Sequence, residues 1–308
     1  MKFGISTLVG IEPMPLPELA RRASELGLET LEINVGPTFR PIGDAAYPGH
    51  LDLAVVAHGG ADAVLETVGC YGLTISALAP MLNLLAPDLQ VREERSAVFR
   101  QAIDACQALG VDTIVTYAGS ASGMFFWGPP AVGPGHPLNK LAENLQLFTE
   151  IFTPLADYAG ERGVRIAFET APRGGGQGNL AHAPALWDML FDAVPSPALG
   201  LSFDPSHLVW LHIPNIPDVV RRYGGRIFHV DGKDTEILPG KLAEQGIYGN
   251  GWWRYRLPGS GDLDWRPILA ALRDVGYTGA LDIENEDPLA LGLAGAAWSA
   301  NYLRRLLP

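Results

Sequence analysis

The feature that most constrains this sequence is an alternation. Short apolar runs of strand length are each followed by an amphipathic run of helix length, with glycine or proline between them. Residues 2–6 read as a strand and 16–26 as a helix stopped at Gly27, where a glycine can take the left-handed conformation that ends helices. The same reading gives strands at 30–35, 73–78, 113–117, 164–169, 199–203, 227–230 and 280–283. The helices that follow them are expected at 61–70, 91–109, 138–162, 185–193, 216–223, 265–275 and 289–306. Longer connections rich in Gly, Pro and aromatics cover 36–60, 118–137 and 231–261.

Eight strand–helix units in a chain of 308 residues fit a single (β/α)8 TIM barrel, one domain over 1–308. The alternative, an open doubly wound sheet, would normally carry a glycine-rich dinucleotide turn after its first strand, and Thr7-Leu8-Val9-Gly10 is no such turn. The run Gly174-Gly175-Gly176 lacks the lysine and hydroxyl residue of a phosphate loop and reads as a flexible lip.

Composition narrows the partners. A hydrophobic content of 47% supplies a large core, and a net charge of −12 repels phosphate backbones, so nucleic acid is excluded as an expected partner. The two cysteines, Cys70 and Cys106, have no metal-like spacing and suit a reducing cytoplasm. The amino terminus shows no basic and apolar leader, and no run reaches the ~18 apolar residues of a membrane span. A cytoplasmic protein is expected.

In a barrel of this kind the chemistry gathers at the carboxyl ends of the strands. Those ends carry Glu169, Asp204, His229 and Glu284 on four consecutive strands. Asp204 precedes Pro205, which is taken to bar a helix from running through, and His207 stands one turn further on. As a bland alternative, Asp204 caps that turn and His207 packs on it. Three carboxylates converging on one mouth repel one another unless a cation lies among them. Oxygen donors with one nitrogen suit Mn²⁺ first, then Mg²⁺ or Co²⁺, while Zn²⁺ would more usually bring further His or Cys.

The segments Ile166-Ala167-Phe168-Glu169, Phe203-Asp204-Pro205-Ser206-His207, Phe228-His229-Val230-Asp231-Gly232-Lys233-Asp234 and Leu281-Asp282-Ile283-Glu284 resemble the xylose isomerase-like sugar phosphate isomerase/epimerase superfamily. That superfamily includes D-tagatose 3-epimerase, inosose dehydratase, hydroxypyruvate isomerase and endonuclease IV. Gly261-Asp262-Leu263-Asp264-Trp265 matches as well, so the resemblance spans the chain. It implies that Glu169, Asp204, His229 and Glu284 ligate the metal and that the two glutamates serve as acid and base. It further implies that His207 touches substrate or metal and that Lys233 faces the bound sugar. Asn285 stands where many relatives carry His, a departure from the family pattern that puts any role for that position in doubt.

His58 and His182 lie in strand-end segments, where each reads as a substrate contact or as a structural turn residue. Phe125, Phe126, Trp127, Trp252 and Trp253 read as exposed aromatics that form either a lid over a sugar or the interface of a homo-oligomer. Three functions compete. The first is a metal-dependent isomerase or epimerase on a keto sugar or inosose. The second is a lyase on the same site, either a dehydratase or an enzyme that eliminates a substituent from a 3-keto-glycoside. The third, a non-enzymatic sugar-binding barrel, has no need of paired glutamates. An endonuclease is disfavoured by the acidic charge and by too few spare histidines for a three-metal cluster.

Overall fold

The computed structural model describes residues 1–8, 10–11, 14–36, 49–121, 140–174 and 177–307. The strands are β1 (Lys2–Ser6), β2 (Thr30–Gly36), β3 (Thr74–Ala79), β4 (Thr113–Thr116), β5 (Arg165–Glu169), β6 (Leu199–Phe203), β7 (Ile227–Gly232) and β8 (Ala280–Ile283). All eight pair in parallel with their chain neighbours, and β1 closes the ring by pairing with both β8 and β2. The outer helices are α1 (Leu16–Glu25), α2 (Ala61–Gly69), α3 (Leu89–Leu109), α4 (Leu141–Gly160), α5 (Pro184–Ala193), α6 (Pro205–Trp210), α7 (Ile216–Tyr223), α8 (Trp265–Asp274) and α9 (Leu293–Leu306). The (β/α)8 expectation holds.

The barrel strands are buried on both faces, and their outward residues are mostly apolar while several inward ones are polar. The layer between barrel and helices is aromatic where it is thickest. Phe168 of β5 meets Phe148 and Phe152 of α4 edge-on at 5.6 and 5.0 Å, and Trp187 of α5 meets Phe203 of β6 at 6.4 Å. Burying each such ring contributes roughly 1.5–3 kcal/mol.

The barrel interior is lopsided. Ala77, Ala79, Val115 and Ala167 make the β3–β5 side small and apolar. Thr30, Glu32, Asn34, Ser202, His229, Asp231 and Asp282 make the other side polar, although all are buried. Gly4 on β1 must be glycine, because a Cβ there would strike the Thr30–Asp282 hydrogen bond.

Four departures from the expected elements are seen. No helix runs through Pro205, as expected, but a helix rather than a loop follows: Pro205 starts α6 at the position where a missing N–H costs nothing, and Asp204 Oδ1 caps that helix by accepting from Ser206 N at 2.8 Å. Strand β7 continues to Gly232, past the expected end at 230. The supposed loop that follows contains an antiparallel hairpin, Asp234–Ile237 against Trp253–Arg256, locked by Glu236 to Arg254 and Arg256 at 2.6 Å each. The closing helix begins at Leu293, because Gly292 sits at φ 96° and Asp287 Oδ1 accepts from Leu289 N instead. Cys70 and Cys106 are free thiols. Among the described residues no helix is long and apolar enough to cross a membrane.

Candidate active site

Successive inward positions of a strand stack in layers along the barrel axis, because side chains alternate faces. On β7 this places His229, Asp231 and then Lys233 at rising depth toward the carboxyl-terminal mouth. The same alternation puts Asp282 of β8 below Glu284, the residue after that strand, and Ser202 of β6 below Asp204, the residue after that one. Two buried clusters result, one above the other.

In the upper cluster, His207 Nε2 lies 3.0 Å from Asp204 Oδ2 and 3.4 Å from Glu169 Oε1. All three residues are buried, and none of these three atoms makes a directed hydrogen bond among the described residues. Their donor atoms lie within 4.8 Å of one another, a separation that a single cation can span. Lys233, only 2% exposed, sets its ammonium 2.8 Å from Asp204 Oδ2 and 3.1 Å from Glu286 Oε2, and pairs with Glu284. The structure thus brings Glu169, Asp204, His207, Lys233 and Glu284 together.

Charge in so dry a space is regulated by its neighbours. Burial, followed by the charges of Asp231, Asp204 and Glu284, pushes Glu169 well above the ordinary carboxylate range. Burial also lifts Glu284 well above that range, against the pull of Lys233. Burial would raise Asp204 too, but His207 and Lys233 outweigh it and hold that carboxylate below its usual value. For Lys233, burial disfavours the charge, yet Asp204, Glu284 and Glu286 overcome it and keep the ammonium protonated. Carboxyls driven apart in this way supply a proton donor and a permanent anion in one pocket.

The lower cluster differs in having its hydrogen bonds made. His229 does not join Glu169 and Asp204 as expected; its Nε2 faces Asp282 Oδ2 at 2.9 Å and its Nδ1 faces Ser202 Oγ at 3.0 Å. Ser202 donates to Asp231 Oδ2 at 2.7 Å, so its oxygen is free to accept from the ring. Thr30 and Ser76 each donate to Asp282 at 2.5 Å. Burial alone would lower His229, but Glu32, Asp282 and Asp231 raise it to about 10. A ring that donates from both nitrogens has no lone pair for an ion. Burial, then Asp231, lifts Glu32 to about 7. Glu32, His229 and Asp231 are close enough to hold a cation, yet their polar atoms already have partners.

The remaining expected site residues fall elsewhere. His58 is exposed on the bend before α2, with Nδ1 against Ala54 O at 2.6 Å. His182 is partly buried behind the site, its Nδ1 on Asn179 O at 2.5 Å; Asn179 in turn donates to the backbone oxygen of Glu169 at 2.8 Å. Trp252 and Trp253 are not the exposed lid expected of them. Trp252 is 3% exposed, stacked on His212 at 5.7 Å, and Trp253 stacks on Trp210 at 4.3 Å. Apolar rings in a locked hairpin pack inward because that removes them from water. Phe125, Phe126 and Trp127 lie outside the described residues.

Several residues escaped the sequence reading. Asp231 is one: a Glu169 side-chain hydrogen bond reaches it, and the period of two from His229 to Lys233 was the signal that marks it as inward. Tyr255 of the hairpin reaches His207 Nδ1 at 3.1 Å and had no sequence signal. Asn34, two residues beyond inward-facing Glu32, is 1% exposed, and among the described residues neither side-chain polar atom has a hydrogen-bond partner. Asn285, by contrast, is a loop staple, donating to Ala290 O and Gly292 O at 2.9 and 3.1 Å.

Comparison with known proteins agrees with this architecture. The chain is 26% identical over 319 residues to the uncharacterized protein YfiH of Bacillus subtilis, covering 96% of each. It is 27% identical over 206 residues to the inosose dehydratase of Clostridium perfringens, covering 65% of this chain and 66% of that protein. A crystal structure of IOLI protein with a binding zinc atom superposes with a TM-score of 0.69 at 20% identity, covering 99% of this chain and 96% of that one. Residues 20–306 match the profile of one family, and the chain belongs to it: the xylose isomerase-like TIM barrel family.

Proposed function

We propose that this protein is a divalent-metal-dependent isomerase or epimerase that acts on a keto sugar or inosose by removing the proton beside its carbonyl. The observation that carries the reading is the convergence of Glu169 Oε1, Asp204 Oδ2 and His207 Nε2, buried and without directed hydrogen bonds. Asp204 Oδ2 has the Lys233 ammonium at 2.8 Å, but incompletely met hydrogen-bonding capacity in a buried cluster still costs about 1–3 kcal/mol per group, which a fold sustains where a ligand completes it. Glu169, Asp204 and His207 would hold the ion, with Asp231 beside Glu169; Mn²⁺ is our first choice, with Mg²⁺, Co²⁺ or Zn²⁺ as alternatives. When bound, the ion supplies positive charge to the substrate oxygens on which negative charge develops.

The chain's own residues do the rest. Glu169 and Glu284 come from strands three steps apart in a ring of eight, so they face a substrate in the mouth from different sides. Both are raised above the ordinary carboxylate range, as groups that take and return protons near neutral pH must be. A proton taken on one side and returned on the other inverts a centre through an enediolate. Lys233 holds Glu284 in place and adds a fixed positive charge beside the oxygens. The orphaned Asn34 carboxamide offers one donor and one acceptor to a substrate hydroxyl.

The second reading is a lyase, in which the same proton removal expels water or a glycosidic substituent. The relationship to an inosose dehydratase favours it. One experiment tests both. Purified protein is analysed for bound metal, then incubated in deuterated water with Mn²⁺ and a panel of keto sugars, inososes and 3-keto-glycosides. A rearranged sugar carrying solvent deuterium supports the isomerase, and loss of water or of the substituent supports the lyase. Active protein without a divalent ion would overturn the metal site.

A further inference from the structure

We infer that Tyr255 is a positioning residue for the candidate centre: its hydroxyl fixes the ring of His207 so that Nε2 points into the gap between Glu169 and Asp204. This rests on the metal reading above, and the test separates the two. His207 lies in α6, a helix of six residues, and nothing on that helix holds its outer nitrogen. The hold comes from the hairpin. Thr235 pairs with Tyr255 across it, and Thr235 Oγ1 donates to Ser206 O at 2.9 Å, which ties the hairpin to the first turn of α6. Tyr255 OH then meets His207 Nδ1 at 3.1 Å, with the rings edge to face at 5.5 Å.

A phenol can donate or accept, so it serves either tautomer of the imidazole. As acceptor from Nδ1–H it leaves the Nε2 lone pair facing the two carboxylates, the arrangement that outer partners impose on ligating histidines. Burial raises Tyr255 well above the usual phenol range, so it remains a neutral partner. Its ring also covers the Lys233 ammonium at 4.6 Å. One side chain therefore touches both the histidine and the cation of the cluster, from a hairpin anchored by Arg256 to Asp287 at 2.9 Å.

The test uses Tyr255→Phe, which keeps the ring and removes only the hydroxyl. Co²⁺ titration of the full-length protein, read by calorimetry and by the cobalt absorption bands, should show about 10- to 100-fold weaker binding than wild type, the usual loss when an outer-shell partner is removed. His207→Ala should weaken binding at least as much, and the double variant should be no worse than His207→Ala alone. Additive losses, or unchanged Co²⁺ affinity in Tyr255→Phe, would overturn the inference. Nitrogen-15 spectra of the histidine rings in metal-free protein give a readout that needs no ion. Wild type should show His207 as one tautomer and Tyr255→Phe as a mixture, whereas identical spectra count against Tyr255. Should wild type bind no Co²⁺, the metal reading fails, and these spectra alone still decide the role of Tyr255.

Discussion

Two polar clusters lie in the same barrel, one above the other, and they differ in one respect. In the lower one, His229, Asp282, Ser202, Asp231, Thr30 and Ser76 all have their hydrogen bonds made. In the upper one, Glu169, Asp204 and His207 bring together atoms without directed hydrogen bonds, with the Lys233 ammonium 2.8 Å from Asp204 Oδ2. Burial is equal, and so is the mixture of imidazole and carboxylate. A satisfied buried network rigidifies the fold, whereas an unsatisfied one costs stability and persists only where a ligand completes it. Composition of a cluster thus says less about function than whether its donors and acceptors are already engaged.

The comparison can be broken most sharply at Glu169. Glu169→Gln and Glu284→Gln are each expected to lower kcat by about 10²- to 10⁴-fold, the range for loss of a proton-transfer group, with no loss of melting temperature. Turnover kinetics beside a thermal melt measure both halves. A variant that stays active while melting early would move that residue to the structural side.

The next largest effect is expected below. His229→Ala leaves Asp282 and Asp231 without their cation and should cost about 3–5 kcal/mol in denaturant unfolding, as removal of one partner from a buried pair does. Bound divalent ion, measured by elemental analysis, should survive in that variant and be lost in His207→Ala. The reverse pattern would place the ion in the lower cluster and restore His229 as a ligand.

Trp252 tests whether the hairpin is a wall or a movable lid. Trp252→Ala should destabilise by about 3 kcal/mol, since a buried ring stacked on His212 leaves a cavity. A shift in KM with unchanged unfolding would instead mark it as a substrate-facing lid residue.

The smallest effect concerns pH. Burial holds His182 below its ordinary value of 6.5, against the Asn179 carbonyl. At His182 the folded state therefore binds fewer protons than the unfolded chain as pH falls through that region, so this residue's contribution to stability, present above about pH 6.5, declines toward pH 5. His182→Gln should remove this contribution from the melting profile. Glu32, Glu169 and Glu284, raised by burial, act in the opposite sense, so the difference between the two profiles is the test: a His182→Gln slope identical to wild type would show that His182 is not held neutral.

Much of this was legible in the sequence. Alternating apolar runs and glycine stops determined eight strand–helix units, because periodicity and chain termination are local properties. Glu169, Asp204, Glu284, His207 and Lys233 were legible too, since a barrel displays its strand ends at one mouth. What only the tertiary structure decided is which neighbours each side chain meets. His229 and Asp231 stand two residues apart on one strand, and the strand's true end at Gly232 put His229 one layer too deep to meet Glu169. Pro205 reads as a break from either side; the capping bond from Asp204 made it the first residue of α6 and so aimed His207 at the carboxylates. Tyr255 is distant from His207 in sequence and reaches it through hairpin pairing alone. Long-range contacts of this kind leave no periodic trace in the chain, because they depend on closure of the barrel and not on the residues beside them.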